Sequence, residues 1–294
     1  MTGSIVLRKE HRLAGQGAIF LCAVLWSTSG LSIKLVDWHP MVIAGSRSLP
    51  AAVFLLALRS LSPGRQSLIN KKTPALIAYG LCYAVTMISF VIANKLTSSA
   101  NAIMLQYTAP VWAALIGWLL LREKPHWEHW CAMVLVGIGM YLVFAGGLTG
   151  GSPAGDLFAL LSGIAFAGNS VVLRMNKDGS PADILFFSLI LCTVISLPFF
   201  FLYPPTLNSA NLLCMAFMGF LQIGAASALF AYGIKRVSAV QAMLISAIEP
   251  VLNPVWVLAV TGEKPALSVI AGGSVIISAV VFSSVIQSTL RRRS

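Results

Sequence analysis

Ten apolar stretches, each near the roughly 20 residues that a membrane-crossing helix needs, follow one another along this chain. They cover approximately residues 14–34, 40–59, 73–93, 98–121, 127–145, 156–174, 181–203, 211–233, 238–260 and 266–287. The connections between them are short and leave no room for an extramembrane domain. Several junctions carry proline: Pro40, Pro74, Pro125, Pro153, Pro181, Pro204-Pro205 and Pro265. Proline suits a first helical turn, where its missing N–H is not needed. Hydrophobic residues make up 57% and charged residues 10% of the 294. A soluble domain carries about 25% charge, so the surface of this chain must face lipid. That excludes a soluble enzyme, a nucleic-acid binder and a disordered protein. The first run is too long for a signal-peptide core and reads as a retained helix.

The net charge of +11 is an orientation signal. With both termini cytoplasmic, sixteen of the twenty bases fall on the cytoplasmic side: Arg8, Lys9, Arg12; Arg59, Arg65, Lys71, Lys72; Arg122, Lys124; Arg174, Lys177; Lys235, Arg236; and Arg291 to Arg293. Basic residues concentrate in cytoplasmic loops, so the pattern predicts ten transmembrane helices with both ends inside. The expected fold class is an all-α polytopic membrane protein of the cytoplasmic (inner) membrane.

The chain also matches itself at an offset of 140 residues. Leu81 meets Leu221, Phe90 meets Phe230, Lys95 meets Lys235, Ser98 meets Ser238 and Ala102 meets Ala242. Pro110-Val111 meets Pro250-Val251, and Glu123-Lys124-Pro125 meets Glu263-Lys264-Pro265. Lys34 meets Arg174. Two five-helix halves, 1–145 and 146–294, follow. Because five is odd, the second enters the membrane from the opposite side. Inverted repeats of this kind put a substrate site near the midplane, between the halves.

Five features carry a family resemblance: Leu25-Trp26-Ser27, Arg47, the pair Pro110 and Pro250, the Glu-Lys-Pro ends, and Gly137-Ile138-Gly139. With them the chain resembles the EamA branch of the drug/metabolite transporter superfamily. The resemblance implies a cavity walled by the first, third, fourth, sixth, eighth and ninth helices, with the fifth and tenth behind. It also implies export of amino acids or related small metabolites. One departure stands out: Ala167-Gly168-Asn169 replaces Ser27-Thr28-Ser29 in the second half, so the first and sixth helices are not equivalent walls.

Mid-membrane charges usually face a cavity or a partner. Glu249, in Ser-Ala-Ile-Glu-Pro, could hold a proton or meet a substrate ammonium; the alternative is a packing residue. Arg47 reads first as an arginine snorkelling to the outer face, or one neutralised nearby. The alternative is a planar fork for a substrate carboxylate, and with Glu249 it is the candidate for a charge or gating role. Pro110 and Pro250 free the carbonyls of Gln106 and Ser246; broken helices are tolerated where they line a cavity. Asn101, Gln106, Asn169, Gln222, Gln241 and Asn253 all fall in cavity-type helices and as a set predict a polar pocket. Trp26, Tyr83 and Tyr107 give that pocket bulk, with Trp112 and Trp256 as further inner aromatics. Trp38, Trp127 and Trp130 read as interfacial belt residues. His126, Glu128 and His129 read as a solvated face rather than a metal site.

No phosphate-binding Gly-x-x-x-x-Gly-Lys-[Ser/Thr] loop occurs, so ATP-driven transport is not supported and no cofactor is expected. The expected partners are a small-molecule substrate and the bilayer, with the chain acting as a monomer or weak homodimer. The leading expectation is a secondary carrier exporting a small amphiphilic metabolite by alternating access. The alternatives are a proton-coupled multidrug carrier, an intramembrane enzyme and a channel.

Overall fold

The structure is a computed structural model that describes residues 2–61, 74–97, 99–144, 152–175, 181–252, 255–256 and 267–290. The segments Asn253-Pro254 and Glu263-Lys264-Pro265, and the bases Arg65, Lys71, Lys72, Lys177 and Arg291 to Arg293, lie outside the described residues, as do the side chains of Asn101, Arg8 and Lys9.

The described elements are helical. In chain order they are α1 (Thr2–Trp26), α2 (Ser29–Leu35), α3 (Pro40–Ser60), α4 (Pro74–Leu96), α5 (Ser99–Gln106), α6 (Ala109–Leu121), α7 (Trp127–Phe144), α8 (Pro153–Met175), α9 (Pro181–Leu202), α10 (Ser209–Ala216), a π-helical segment (Phe217–Ala225), α11 (Ala226–Ile234), α12 (Ala239–Ser246) and α13 (Leu267–Leu290). Among the described residues, seven spans are long and apolar enough to cross a membrane: Glu10–Leu35, Pro40–Ser60, Ile77–Leu96, Ala102–Leu121, Pro153–Met175, Ala182–Leu202 and Ser209–Ile234. Shorter apolar helices follow at Ala239–Leu252 and Ile270–Phe282. Large apolar side chains such as Leu119, Phe201 and Leu267 point outward, as a lipid-facing surface requires. Only closed hydrogen-bonding structures such as helices satisfy every backbone group in lipid.

Four apolar runs are not regular helices, and these irregularities set the site. The fourth run breaks at Tyr107-Thr108, where Thr108 N–H bonds Leu105 O at 3.2 Å. The ninth breaks at Ala247-Ile248, where Ala247 N–H bonds Leu244 O at 3.1 Å and Ile248 N–H bonds Ile245 O at 3.2 Å. In each case a proline three residues after the first break residue removes an amide. The first run breaks without proline. Ser27 donates to Val24 O at 2.6 Å and Thr28 to Leu25 O at 2.8 Å; such hydroxyls compete with the helix ladder. At the equivalent positions of the second half, Ala167-Gly168-Asn169 lie within the unbroken α8. The fourth irregularity is the π-helical segment, which lies against α3: a Cβ on Gly219 would fall 2.7 Å from Pro50.

Two cations tie helix ends together. Lys95 donates to Val36 O, at the end of α2, at 2.7 Å. Arg174 donates to Ile234 O at 3.2 Å and Lys235 O at 3.1 Å, at the end of α11, and pairs with Glu123 at 3.3 Å. A cation stabilises the negative end of a helix dipole. One link runs from α4 back to the end of α2, the other from α8 forward to the end of α11. α7 lies along α13, where a Cβ on Gly139 would fall 2.8 Å from Gly272 O.

Two surface expectations need correction. Trp38 is not a belt residue: it is buried, and its indole N–H reaches both Thr206 O and Thr206 Oγ1 at 3.1 Å. Glu128 and His129 are buried rather than solvated, and His129 Nδ1 accepts the His126 amide at 3.3 Å. Trp127 and Trp130 are exposed.

Candidate substrate cavity

The two proline breaks face each other. Pro250 has no N–H, so Ser246 O lacks its helical donor. The Tyr107 hydroxyl, from the break in the other half, lies 2.5 Å from that carbonyl. It lies 2.7 Å from Glu249 Oε2 as well. One side chain therefore meets a freed carbonyl and an intramembrane carboxyl together. The carbonyl that Pro110 frees, Gln106 O, faces α8 at Gly163, where a Cβ would stand 2.7 Å from it. Glycine is required there because the backbones touch. The Gln106 amide donates to Ser162 Oγ at 2.8 Å, and Ser162 donates to Thr86 O at 3.1 Å, joining α5, α8 and α4.

Beside these breaks lies a cavity of about 40 Å³ lined by Trp26, Ser29, Arg47, Thr86, Met87, Phe90, Gln106, Phe166, Ile223 and Glu249. A water needs about 10–15 Å³, so this space admits a few waters and no metabolite in this conformation. Trp26 stacks edge-on with Phe166 at 5.5 Å and tilts against Phe230 at 5.4 Å. Glu249 is 5% exposed and Arg47 is 1% exposed.

Of the expected site residues, Trp26, Gln106, Glu249 and Arg47 meet at this cavity, and Tyr107 bonds to Glu249 beside it. Arg47 corrects the snorkelling reading. Its guanidinium stays inside and donates to Met87 O at 3.3 Å and to Met87 Sδ at 3.6 Å. It also brings the second apolar run to the wall, which the family pattern did not imply.

Other expected residues lie elsewhere. Tyr83 and Asn169 are buried but do not line the cavity. Gln222 sits in the π-helical segment and donates to Thr28 Oγ1 at 3.0 Å, bracing the proline-free break. Trp256 donates to Ser27 Oγ at 2.7 Å at the same break. Gln241 belongs to the start of α12, where Arg12 reaches its Oε1 at 3.4 Å. Asn253 and the Asn101 side chain lie outside the described residues. Ser29, Thr86, Met87, Phe90, Phe166 and Ile223 were not anticipated at the cavity. A wider cleft of about 400 Å³, lined by Arg59, Asp183, Tyr232, Lys235 and Arg236 among others, shares no residue with the central cavity. There Arg59 pairs with Asp183, and the Arg236 guanidinium lies 3.5 Å over the Tyr232 ring.

Fold and cavity together define a multi-pass integral membrane protein with broken helices around a buried polar centre. Comparison with known proteins agrees and is more specific. The model of the EamA-like transporter family matches residues 13–145 and again 153–285, and the chain belongs to that family. An "uncharacterized transporter" of Archaeoglobus fulgidus is 26% identical over 277 residues, 92% of this chain and 96% of that protein. The "uncharacterized transporter YwfM" of Bacillus subtilis is 27% identical over 243 residues, 79% of this chain and 80% of that protein. The "uncharacterized inner membrane transporter YedA" of Escherichia coli K12 is 26% identical over 161 residues, 53% of this chain and 51% of that protein. A protein crystal structure shares the fold, with a TM-score of 0.81 at 18% identity over 96% of this chain and 99% of that one. The chain is accordingly a transporter of the EamA, drug/metabolite type.

Proposed function

We propose that this transporter is a secondary carrier that exports a small amphiphilic metabolite, an amino acid or a related compound, across the cytoplasmic membrane by alternating access. The reading includes ten transmembrane helices in two inverted five-helix halves, 1–145 and 146–294, with both termini cytoplasmic. One observation carries it: the cavity is walled from both halves, and their proline-broken helices meet there through Tyr107 and Glu249. Broken helices at a repeat interface are the usual substrate sites of such carriers. The small present volume of the cavity fits a closed stage of the cycle. The distribution of the bases supports the orientation. Efflux from proteoliposomes across a panel of amino acids and related metabolites tests the reading. Saturable flux of at least one compound is expected, and absence of specific flux from folded protein would overturn it.

A second reading is proton-coupled multidrug export with Glu249 as the proton site. It is favoured by the burial of that carboxyl and its hydrogen bond to Tyr107. Under it, Glu249→Gln abolishes uptake driven by a pH gradient. Unchanged coupling removes Glu249 from the mechanism.

A further inference from the structure

Arg47 is a buried cation with an incomplete set of partners. A guanidinium offers five N–H donors. Here one nitrogen donates to a neutral carbonyl and a thioether, both of Met87. Nε is buried with no hydrogen-bond partner among the described residues. Neither the Arg59–Asp183 nor the Arg174–Glu123 ion pair involves Arg47. Burying a charge without a partner is costly, and Arg47 is only 1% exposed.

Glu249 lines the same cavity, and a side chain of the other break already engages it. The Tyr107 hydroxyl has one proton and two oxygens beside it, Ser246 O at 2.5 Å and Glu249 Oε2 at 2.7 Å. Tyr107 donates to both, so the Glu249 carboxyl has a partner inside the bundle, whereas Arg47 Nε has none among the described residues.

We propose that Arg47 is the anion subsite of the cargo site: the cargo bears a carboxylate that completes the Arg47 guanidinium, and an apolar body that packs on Trp26, Phe90 and Phe166. This rests on the carrier reading, in which the central cavity is the cargo site. It narrows that reading, because the carboxylate is required and an ammonium is not. Arginine forks bind carboxylates in a two-point geometry that lysine lacks.

The test is binding to purified full-length protein in lipid nanodiscs by calorimetry. Four probes share one branched apolar body: leucine, 4-methylpentanoate, 3-methylbutylamine and 4-methylpentanamide. Leucine and 4-methylpentanoate are expected to bind, with the amine and the amide about 10–100-fold weaker. Arg47→Gln is expected to lose the carboxylate ligands by a similar factor, with Arg47→Lys between the two. The probe series on the unaltered protein stands even where Arg47→Gln fails to fold. Equal binding of amine and carboxylate, full carboxylate binding by Arg47→Gln, or no binding by any of the four overturns the proposal. The carrier reading fails separately, on absence of any flux across the wider metabolite panel.

Discussion

Gly163→Ala probes the tightest backbone contact beside the cavity. An added Cβ would stand 2.7 Å from Gln106 O, 3.2 Å from Gln106 Cα and 3.2 Å from Leu105 O. A carbon approaches a carbonyl oxygen to about 3.3 Å at closest, so α8 and the break must separate by roughly 0.6 Å. All three obstacles are backbone, and no side chain can rotate away. Overpacking costs about 1–3 kcal/mol, and a clash of this depth belongs near about 3 kcal/mol on that scale. Alanine regains up to about 1 kcal/mol through helix propensity. The net expectation is a loss of about 2 kcal/mol. Gly17→Ala is the control, since nothing lies within 4 Å of its Cβ position; it should gain up to about 1 kcal/mol. Reversible SDS unfolding followed by tryptophan fluorescence measures both. Gly163→Ala as stable as the parent, beside a neutral Gly17→Ala, would refute the close approach of α8 to the Pro110 break.

Three other outcomes are expected. Tyr107→Phe strands Ser246 O and the Glu249 carboxyl, and should cost about 1–3 kcal/mol in the same assay; a change under about 0.5 kcal/mol contradicts the shared hydroxyl. Arg174→Ala removes the cation from the Ile234 and Lys235 carbonyls and should cost about 1–3 kcal/mol; an unaltered unfolding midpoint contradicts that link. His39 Nδ1 accepts the Met41 amide at 3.3 Å at the start of α3, and burial lowers its pKa below the usual value. Its contribution is therefore fully present above about pH 6.5 and lost as pH falls through the lowered value. Thermal unfolding between pH 8 and 5 should show this loss, and His39→Asn, which keeps a capping oxygen, should flatten it; an equal slope in both contradicts the cap.

How far the sequence could be read depended on whether a feature is local. The breaks after Gln106 and Ser246 were legible because proline lacks an N–H wherever it sits in a helix. The break at Ser27-Thr28 was not, because its hydroxyls are braced by Gln222 and Trp256, which are distant in sequence. Glu249 was legible as a rare mid-membrane acid. The position of Arg47 was not, since an arginine two turns into a helix can snorkel or turn inward, and only the packing of neighbouring helices decides. The amides divided for the same reason. Gln106 faces the cavity, while Gln222 and Gln241 face other partners, and helix rotation leaves no mark on composition. The sequence match at offset 140 also stops short of geometry: α8 is continuous where the first run breaks, because alanine and glycine replace two of its hydroxyls.

A carrier whose cargo site is the Arg47–Glu249 cavity must exchange cargo across the bilayer. Counterflow in proteoliposomes tests it most directly, with unlabelled leucine inside and a trace of labelled leucine outside. Transient accumulation of label above equilibrium is expected, lost in Arg47→Gln and unaccompanied by ionic conductance. Label that only equilibrates, with or without Arg47, would contradict it.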